Sequence, residues 1–117
     1  MTKEKIISSI IDSIYHWTHD IVEPLAYDTI DKDRMIWKSS GLDVRYTSTY
    51  CSLCKLCYDS KKAKKNCKAC PYYKFFEIRC DDPDGDWELF INNPCRKTAI
   101  SMRNALIEVL NYYLAYN

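Results

Sequence analysis

Cys51-Ser-Leu-Cys54-Lys-Leu-Cys57, then Cys67-Lys-Ala-Cys70-Pro71, then Cys80 gather six of the seven cysteines into one short span. Two residues between cysteines let one tight turn aim two sulfurs at a common point. A second such turn completes a tetrahedron around Zn2+. The preferred ligand set is Cys51, Cys54, Cys67 and Cys70, with Cys57 and Cys80 as alternates. In particular, Cys54/Cys57 can replace Cys51/Cys54 as the first pair. A closed site of four thiolates leaves no position for water, so it is structural and not catalytic. The competing chemistry is an iron–sulfur cluster. Cys51, Cys54 and Cys57 with the distant Cys70-Pro71 loosely match ferredoxin ligation, although the fourth cysteine does not follow the third after three residues. Cys80 either replaces a knuckle ligand or pairs with Cys95 on oxidation. Cys95 otherwise reads as a small buried hydrophobe.

Working outward, residues 3–18 read as an amphipathic helix. Ile6, Ile7, Ile10, Ile11, Ile14 and Trp17 recur at helical spacing, and Thr2 suits the N-cap. Pro24 marks a break. Residues 31–38 predict a short helical turn capped by Asp31 and ended by Gly41, anchored by Met35, Ile36 and Trp37. Val44, Tyr46, Ser48 and Tyr50 alternate as a strand leading into the first cysteine pair. Beyond Pro71, residues 72–80 fit either a strand or a short helix. Asp82-Pro83-Asp84-Gly85 is a turn signal, and the simplest picture is a hairpin of 74–80 with 86–91. Asn93 and Pro94 open a last helix over 94–114, with Ala99, Met102, Leu106, Val109, Leu110, Tyr113 and Leu114 on its apolar face.

These elements predict one α+β domain over residues 1–117, a small zinc-stapled fold with long N- and C-terminal helices. Its parts are a helical 1–40, a cysteine knuckle segment 51–80, a short β-hairpin within 74–91 and a C-terminal helix over 94–114. With 117 residues the core is modest, so a metal staple adds meaningful stability. Apolar residues at 47% and only two glycines mark a folded chain. The N-terminus lacks signal-peptide character, since polar residues interrupt its apolar ones. No stretch approaches a membrane span of ~18 apolar residues. The expected compartment is cytoplasmic, where cysteine clusters read as metal ligands before disulfides.

The net charge of +1 conceals segregation. Residues 51–80 carry eight basic groups and two acidic ones, and residues 81–94 carry five acidic groups and no basic ones. Lys61, Lys62, Lys64 and Lys65, with Tyr58, Tyr72 and Tyr73 nearby, suit nucleic-acid binding: lysines attract phosphate and tyrosines stack on unpaired bases. A solvated loop between two knuckles is also lysine-rich, and the near-neutral total favours that simpler reading. His16 and His19, at i, i+3, read as a partly exposed helix end. The run Asp81, Asp82, Asp84, Asp86, Glu88 departs from a Ca2+ loop in its glycine position and lacks the closing Glu. It reads as an acidic turn. No acid/base or nucleophile constellation stands out, so no enzymatic activity is expected. Ten tyrosines suit a contact surface.

The pattern Cys51-Ser-Leu-Cys54-Lys-Leu, Cys67-Lys-Ala-Cys70-Pro71, Cys80 and a trailing amphipathic helix resembles small cysteine-rich, zinc-knuckle-like proteins of tailed bacteriophages. The resemblance covers roughly residues 51–115. It implies Cys51, Cys54, Cys67 and Cys70 as the paired cysteines and Cys80 as the trailing one. Cys57 and the acidic segment are departures, as is the lack of a Gly-rich loop before Cys80. The family supplies no activity. It implies a phage-encoded protein acting in the host cytoplasm, where such proteins often bind a host protein. The expectation is therefore an interaction protein that binds or inhibits a host protein or complex, including one of a defence system. Nucleic acid is the alternative partner, and no membrane is expected.

Overall fold

The two ends of the chain supply the frame on which the middle is hung. In the computed structural model, which describes residues 2–49, 52–59, 61–62 and 64–116, helix α1 (Lys3–His16) packs along helix α6 (Arg96–Tyr116). Thr2 starts α1 as expected. Its Oγ1 accepts a hydrogen bond from the Lys5 N–H at 3.2 Å, satisfying one of the amide donors that a helix start leaves orphaned. Ile10 and Trp17 are fully buried, while Ile11 turns outward at 49% exposure. The helix then widens instead of stopping. Trp17–Val22 is a π-helical segment, closed where the Glu23 N–H donates to the Thr18 carbonyl at 2.9 Å. The wider turn brings Trp17, Ile21 and Val22 all into the core. Pro24, lacking an N–H, opens the 3-10 turn Pro24–Ala26.

Helix α6 buries Ala99, Met102, Ala105, Leu106, Val109 and Tyr113, a stripe at the 3.6-residue period. Full burial of a side chain such as Leu106 stabilises by roughly 1.5–3 kcal/mol. Leu114, expected on this face, is instead exposed. The helix also begins at Arg96 and not at Pro94. Thr98 does the capping expected of Asn93: its Oγ1 accepts from the Cys95 N–H at 3.3 Å and donates to the Asn93 carbonyl at 2.7 Å.

Between the frame helices, three sequence expectations are corrected. Residues 31–38 form a single turn, closed where the Met35 N–H donates to the Asp31 carbonyl at 2.7 Å, but that turn links two strands and does not begin a helix. Strand β1 (Ile30–Asp31) pairs antiparallel with β2 (Ile36–Trp37), Ile30 facing Trp37. Asp31 does cap, accepting from the Asp33 and Arg34 N–H groups. But Met35 sits at φ 54°, a left-handed conformation that stops a helix. Residues Val44–Thr49 are helix α2, not a strand. Val44 and Ser48 are both buried, and an i, i+4 pair equals two strides of a strand, so the pattern fits both periods.

The hairpin within 74–91 is likewise replaced by two helices, α4 (Pro71–Phe76) and α5 (Asp86–Asn92). Pro71 takes the first helical position, where its missing N–H costs nothing, and Glu77 ends α4 at φ 63°. Gly85 has an ordinary φ of −73°, so its role is close approach and not turn geometry. A Cβ there would lie 2.3 Å from the Cys80 carbonyl oxygen and 2.4 Å from that of Arg79. Phe90 of α5 is fully buried and meets Trp17 edge to face at 5.2 Å. A short ribbon does exist nearby, inside the lysine run: β3 (Tyr58–Asp59) pairs antiparallel with β4 (Lys64–Lys65). The fold is thus mostly helical with two two-stranded antiparallel ribbons among the described residues, compatible with an α+β class. No helix among them is long and apolar enough to cross a membrane.

Candidate metal centre

Helix α3 (Ser52–Leu56) carries Cys54 and is followed at once by Cys57. The 3-10 turn Cys67–Ala69 carries Cys67 and delivers Cys70 to the start of α4. Each second cysteine is fixed by its own turn. The Cys57 N–H donates to the Leu53 carbonyl and the Cys70 N–H to the Cys67 carbonyl, both at 3.1 Å. The β3–β4 ribbon then zips the two pairs together, and the Asn66 N–H donates to the Cys57 carbonyl at 2.7 Å to close its base. Cys54, Cys57, Cys67, Cys70 and Cys80 consequently line one small cavity of about 20 Å³, with Tyr72, Tyr73 and Arg79 around it.

The electrostatics match that crowding. The Cys57 thiol is pushed far above the ordinary thiol range, first by its hydrogen bond with Cys70, then by burial, then by the neighbouring Cys70, Cys54 and Cys67 sulfurs. Thiolates this close repel one another, and a divalent cation relieves that repulsion by binding them. The donor set is soft, sulfur-only and sufficient in number for a four-thiolate zinc site. No three His, Cys, Asp or Glu side chains among the described residues already stand as a metal-holding group. None of the six described cysteines is in a disulfide.

Of the expected site residues, Cys54, Cys67 and Cys70 share the cavity with the alternates Cys57 and Cys80. Cys51 lies outside the described residues. Cys95 is elsewhere, at the start of α6. Lys61 and Lys62 are exposed in the ribbon turn, Lys64 and Lys65 form β4, and Tyr58 beside them is 54% exposed.

Residues that sequence reading passed over anchor this centre. Ser13 of α1 is fully buried. Its Oγ donates to the Ser9 carbonyl at 2.9 Å and accepts from the Leu53 N–H at 3.3 Å, tying the first turn of α3 to the frame. Its signal was a lone polar residue on the inward stripe between Ile10 and Trp17. Tyr72, expected to be open for stacking on bases beside the lysines, is instead nearly inaccessible, and its hydroxyl donates to Asp86, linking α4 to α5. Burial, and then that bond, pushes its phenol above the usual range. Arg79 grips Asp81 through Nη2 at 2.6 Å and Nε at 2.8 Å, and its N–H donates to Asp82 at 2.8 Å. Asp81, Asp82 and Asp86 thus all take partners within the fold.

The histidines do not form a chelate. The His16 Nδ1 meets Asp20 at 2.7 Å and its Nε2 meets the Thr47 carbonyl at 2.7 Å, while the His19 Nδ1 meets Glu23 at 2.9 Å. No family model, curated protein or solved structure matches the chain. The functional reading therefore rests on this geometry.

Proposed function

We propose that the chain is a zinc-stapled, non-enzymatic interaction protein. Its closest functional class is the small phage protein that binds and inhibits a host protein, including a defence component. The observation that carries the zinc reading is the meeting of five cysteines on one cavity, with Cys57 hydrogen-bonded to Cys70. Cys54, Cys57, Cys67 and Cys70 would hold the metal, the first pair being the alternate one. When bound, zinc supplies a cross-link between α3, the β3–β4 ribbon and α4. The chain's own residues do the rest: Ser13 holds α3, Asn66 closes the ribbon, and Pro71 sets α4.

For binding, Tyr27 is 83% exposed, Tyr15 64% and Leu42 62%. Amphipathic tyrosines in the open are suited to contact with a protein partner. Metal analysis of anaerobically purified protein is the first test, with about one zinc per chain expected. Iron with visible absorbance would replace zinc by an iron–sulfur cluster. The interaction reading expects a stoichiometric complex with a host protein, weakened by Tyr27→Ala combined with Leu42→Ala. Multiple turnover on any substrate would overturn it.

One observation favours nucleic acid as a second reading. Lys61 and Lys62 are exposed in the ribbon turn, and Tyr58 at the start of β3 is exposed too, which offers charge for phosphate and a ring for stacking. Replacing Lys61, Lys62, Lys64 and Lys65 by Ala should then weaken binding to single strands and flatten its salt dependence. An unchanged affinity removes this reading.

A further inference from the structure

The π-helical segment, the turn that follows it, strand β2 and helix α2 all contribute to one open groove of about 360 Å³. A single water fills roughly 10–15 Å³ of such space, so the groove admits a whole side chain. Among the described residues it shares no lining with the cysteine cavity. Trp37 is the buried member of its lining, while His19, Asp20, Tyr27 and Leu42 are exposed. A groove this open cannot cover most of a small molecule, as ligand pockets do. It suits a side chain delivered by another protein.

The charge of the groove is one-sided. Asp20 and Asp28 line it, Glu23 is bonded to the lining His19 at 2.9 Å, and no lysine or arginine among the described residues lines it. Asp20 meets His16 at 2.7 Å. The donors to Asp28 among the described residues are neutral: the Thr29 N–H at 2.8 Å, the Ser39 N–H at 3.3 Å and the Ser39 hydroxyl at 2.5 Å. They favour the ionised carboxylate without cancelling its charge. The acidic run after Cys80 differs, since there Arg79 grips Asp81 within the fold. Next to Asp28 in the chain, Tyr27 is the most exposed of the large apolar side chains, and Leu42 is open as well. A tyrosine ring attracts a cation over its face, most often the guanidinium of an arginine. Carboxylates repel phosphate, which sets this surface apart from the lysine ribbon.

We propose that this groove takes an arginine side chain from a basic segment of the partner protein, with an apolar neighbour of that arginine against Leu42. The inference rests on the interaction reading and names what the partner presents. The guanidinium lies on the Tyr27 ring, in the field of Asp20, Glu23 and Asp28. Exposed charges are screened by salt, so the contact weakens as ionic strength rises.

The test titrates a short capped peptide into the isotope-labelled, metal-loaded chain and follows amide shifts by NMR. The peptide is alanine apart from one arginine and the leucine after it. Its control carries citrulline, which keeps the shape of arginine and drops the charge. The arginine peptide is expected to move the amides of Tyr27, Asp28, Ser39 and Leu42, and to bind about fivefold or more tighter than the control. Asp28→Asn and Tyr27→Ala should each weaken it about two- to fivefold. Tyr27 is 83% exposed, so its replacement spares the fold. Equal binding of the two peptides, shifts confined to other surfaces, or no shift at all overturns the inference. So does a stronger response of the same amides to spermidine or to a single-stranded oligonucleotide. A host complex unchanged by both variants overturns the groove and leaves the interaction reading standing. Turnover on a substrate defeats the interaction reading separately, and the peptide titration still decides the chemistry of the groove.

Discussion

From Ile10 to Ile21 and again from Ala99 to Tyr113, the frame buries one large apolar side chain after another. From Ser52 to Cys80, by contrast, the chain passes through two helices of five and six residues, a ribbon of two residue pairs and a 3-10 turn. Among the described residues its deeply buried side chains are Leu53, Cys57, Pro71 and Tyr72. Isolated helices shorter than ~12–15 residues are marginal in water. The frame can stand on burial, while the cysteine segment has too little of it. The contrast teaches that burial alone can hold the frame, whereas the cysteine segment would need the cross-link that the proposed zinc supplies.

On the proposed zinc reading, removing the metal is the strongest way to break this comparison. Apparent binding energies for structural zinc in finger peptides reach roughly 10–16 kcal/mol. Chelation, or Cys70→Ser, is expected to abolish amide protection across 52–80 while the centre of α6 stays protected. Hydrogen exchange read by mass spectrometry checks this, and simultaneous loss in α6 would show the two regions to be one cooperative unit. From the other side, Leu106→Ala leaves a cavity at the middle of the frame. It should cost about 2–5 kcal/mol in denaturant unfolding.

The two glycines sharpen the contrast at smaller magnitude. Gly85→Ala drives a methyl into the Arg79 and Cys80 carbonyls, an overpacking expected to cost about 1–3 kcal/mol. It should also loosen the cysteine segment, through Cys80. Gly41→Ala meets no atom within 4 Å but keeps a φ of 73°, so only the conformational cost of about 1–2 kcal/mol remains. Thermal unfolding of the pair checks the order.

The smallest effect concerns acid. Ser39 donates its hydroxyl to Asp28 at 2.5 Å. That bond first, and then the N–H groups of Thr29 and Ser39, hold the Asp28 carboxyl below its usual range. A depressed folded-state value means the contribution is present above the unfolded carboxylate range and is lost as pH falls through the folded one. Asp28→Asn should flatten the acid limb of the stability profile slightly, without altering the cysteine segment.

The frame was legible because burial alone decides it. The stripes Ile10–Trp17 and Ala99–Tyr113 announce a helix whatever surrounds them, and Thr2 needs only its own turn to act as a cap. The Cys67–Cys70 spacing was legible for the same local reason, a single turn, whereas the place of Cys54 on the same cavity depends on how α3 packs. What failed depended on partners distant in sequence. Val44 and Ser48 fit a strand and a helix equally, and only packing selects between them. Met35 accepts a positive φ where its flanks, Ile30–Asp31 and Ile36–Trp37, pair. The stretch from Lys74 to Ile91 looked like a hairpin because Gly85 reads as a turn glycine. Its actual constraint, contact with Cys80, is invisible until the chain is folded. Ser13 was missed because a helix-interior serine has no local sign of the amide it serves 40 residues away.

The β3–β4 ribbon has a practical consequence. Tyr58 faces Lys65 in its register, and the Asn66 N–H to Cys57 carbonyl bond closes its base. The spacing of the two cysteine pairs is therefore set below the tip, independently of what the tip carries. The Lys61–Lys62 turn is thus a graft point. A longer loop there adds only about 0.6 kcal/mol of closure entropy per doubling of length, so an epitope, a dye-binding peptide or a whole reporter domain can be displayed from it without disturbing the fold beneath.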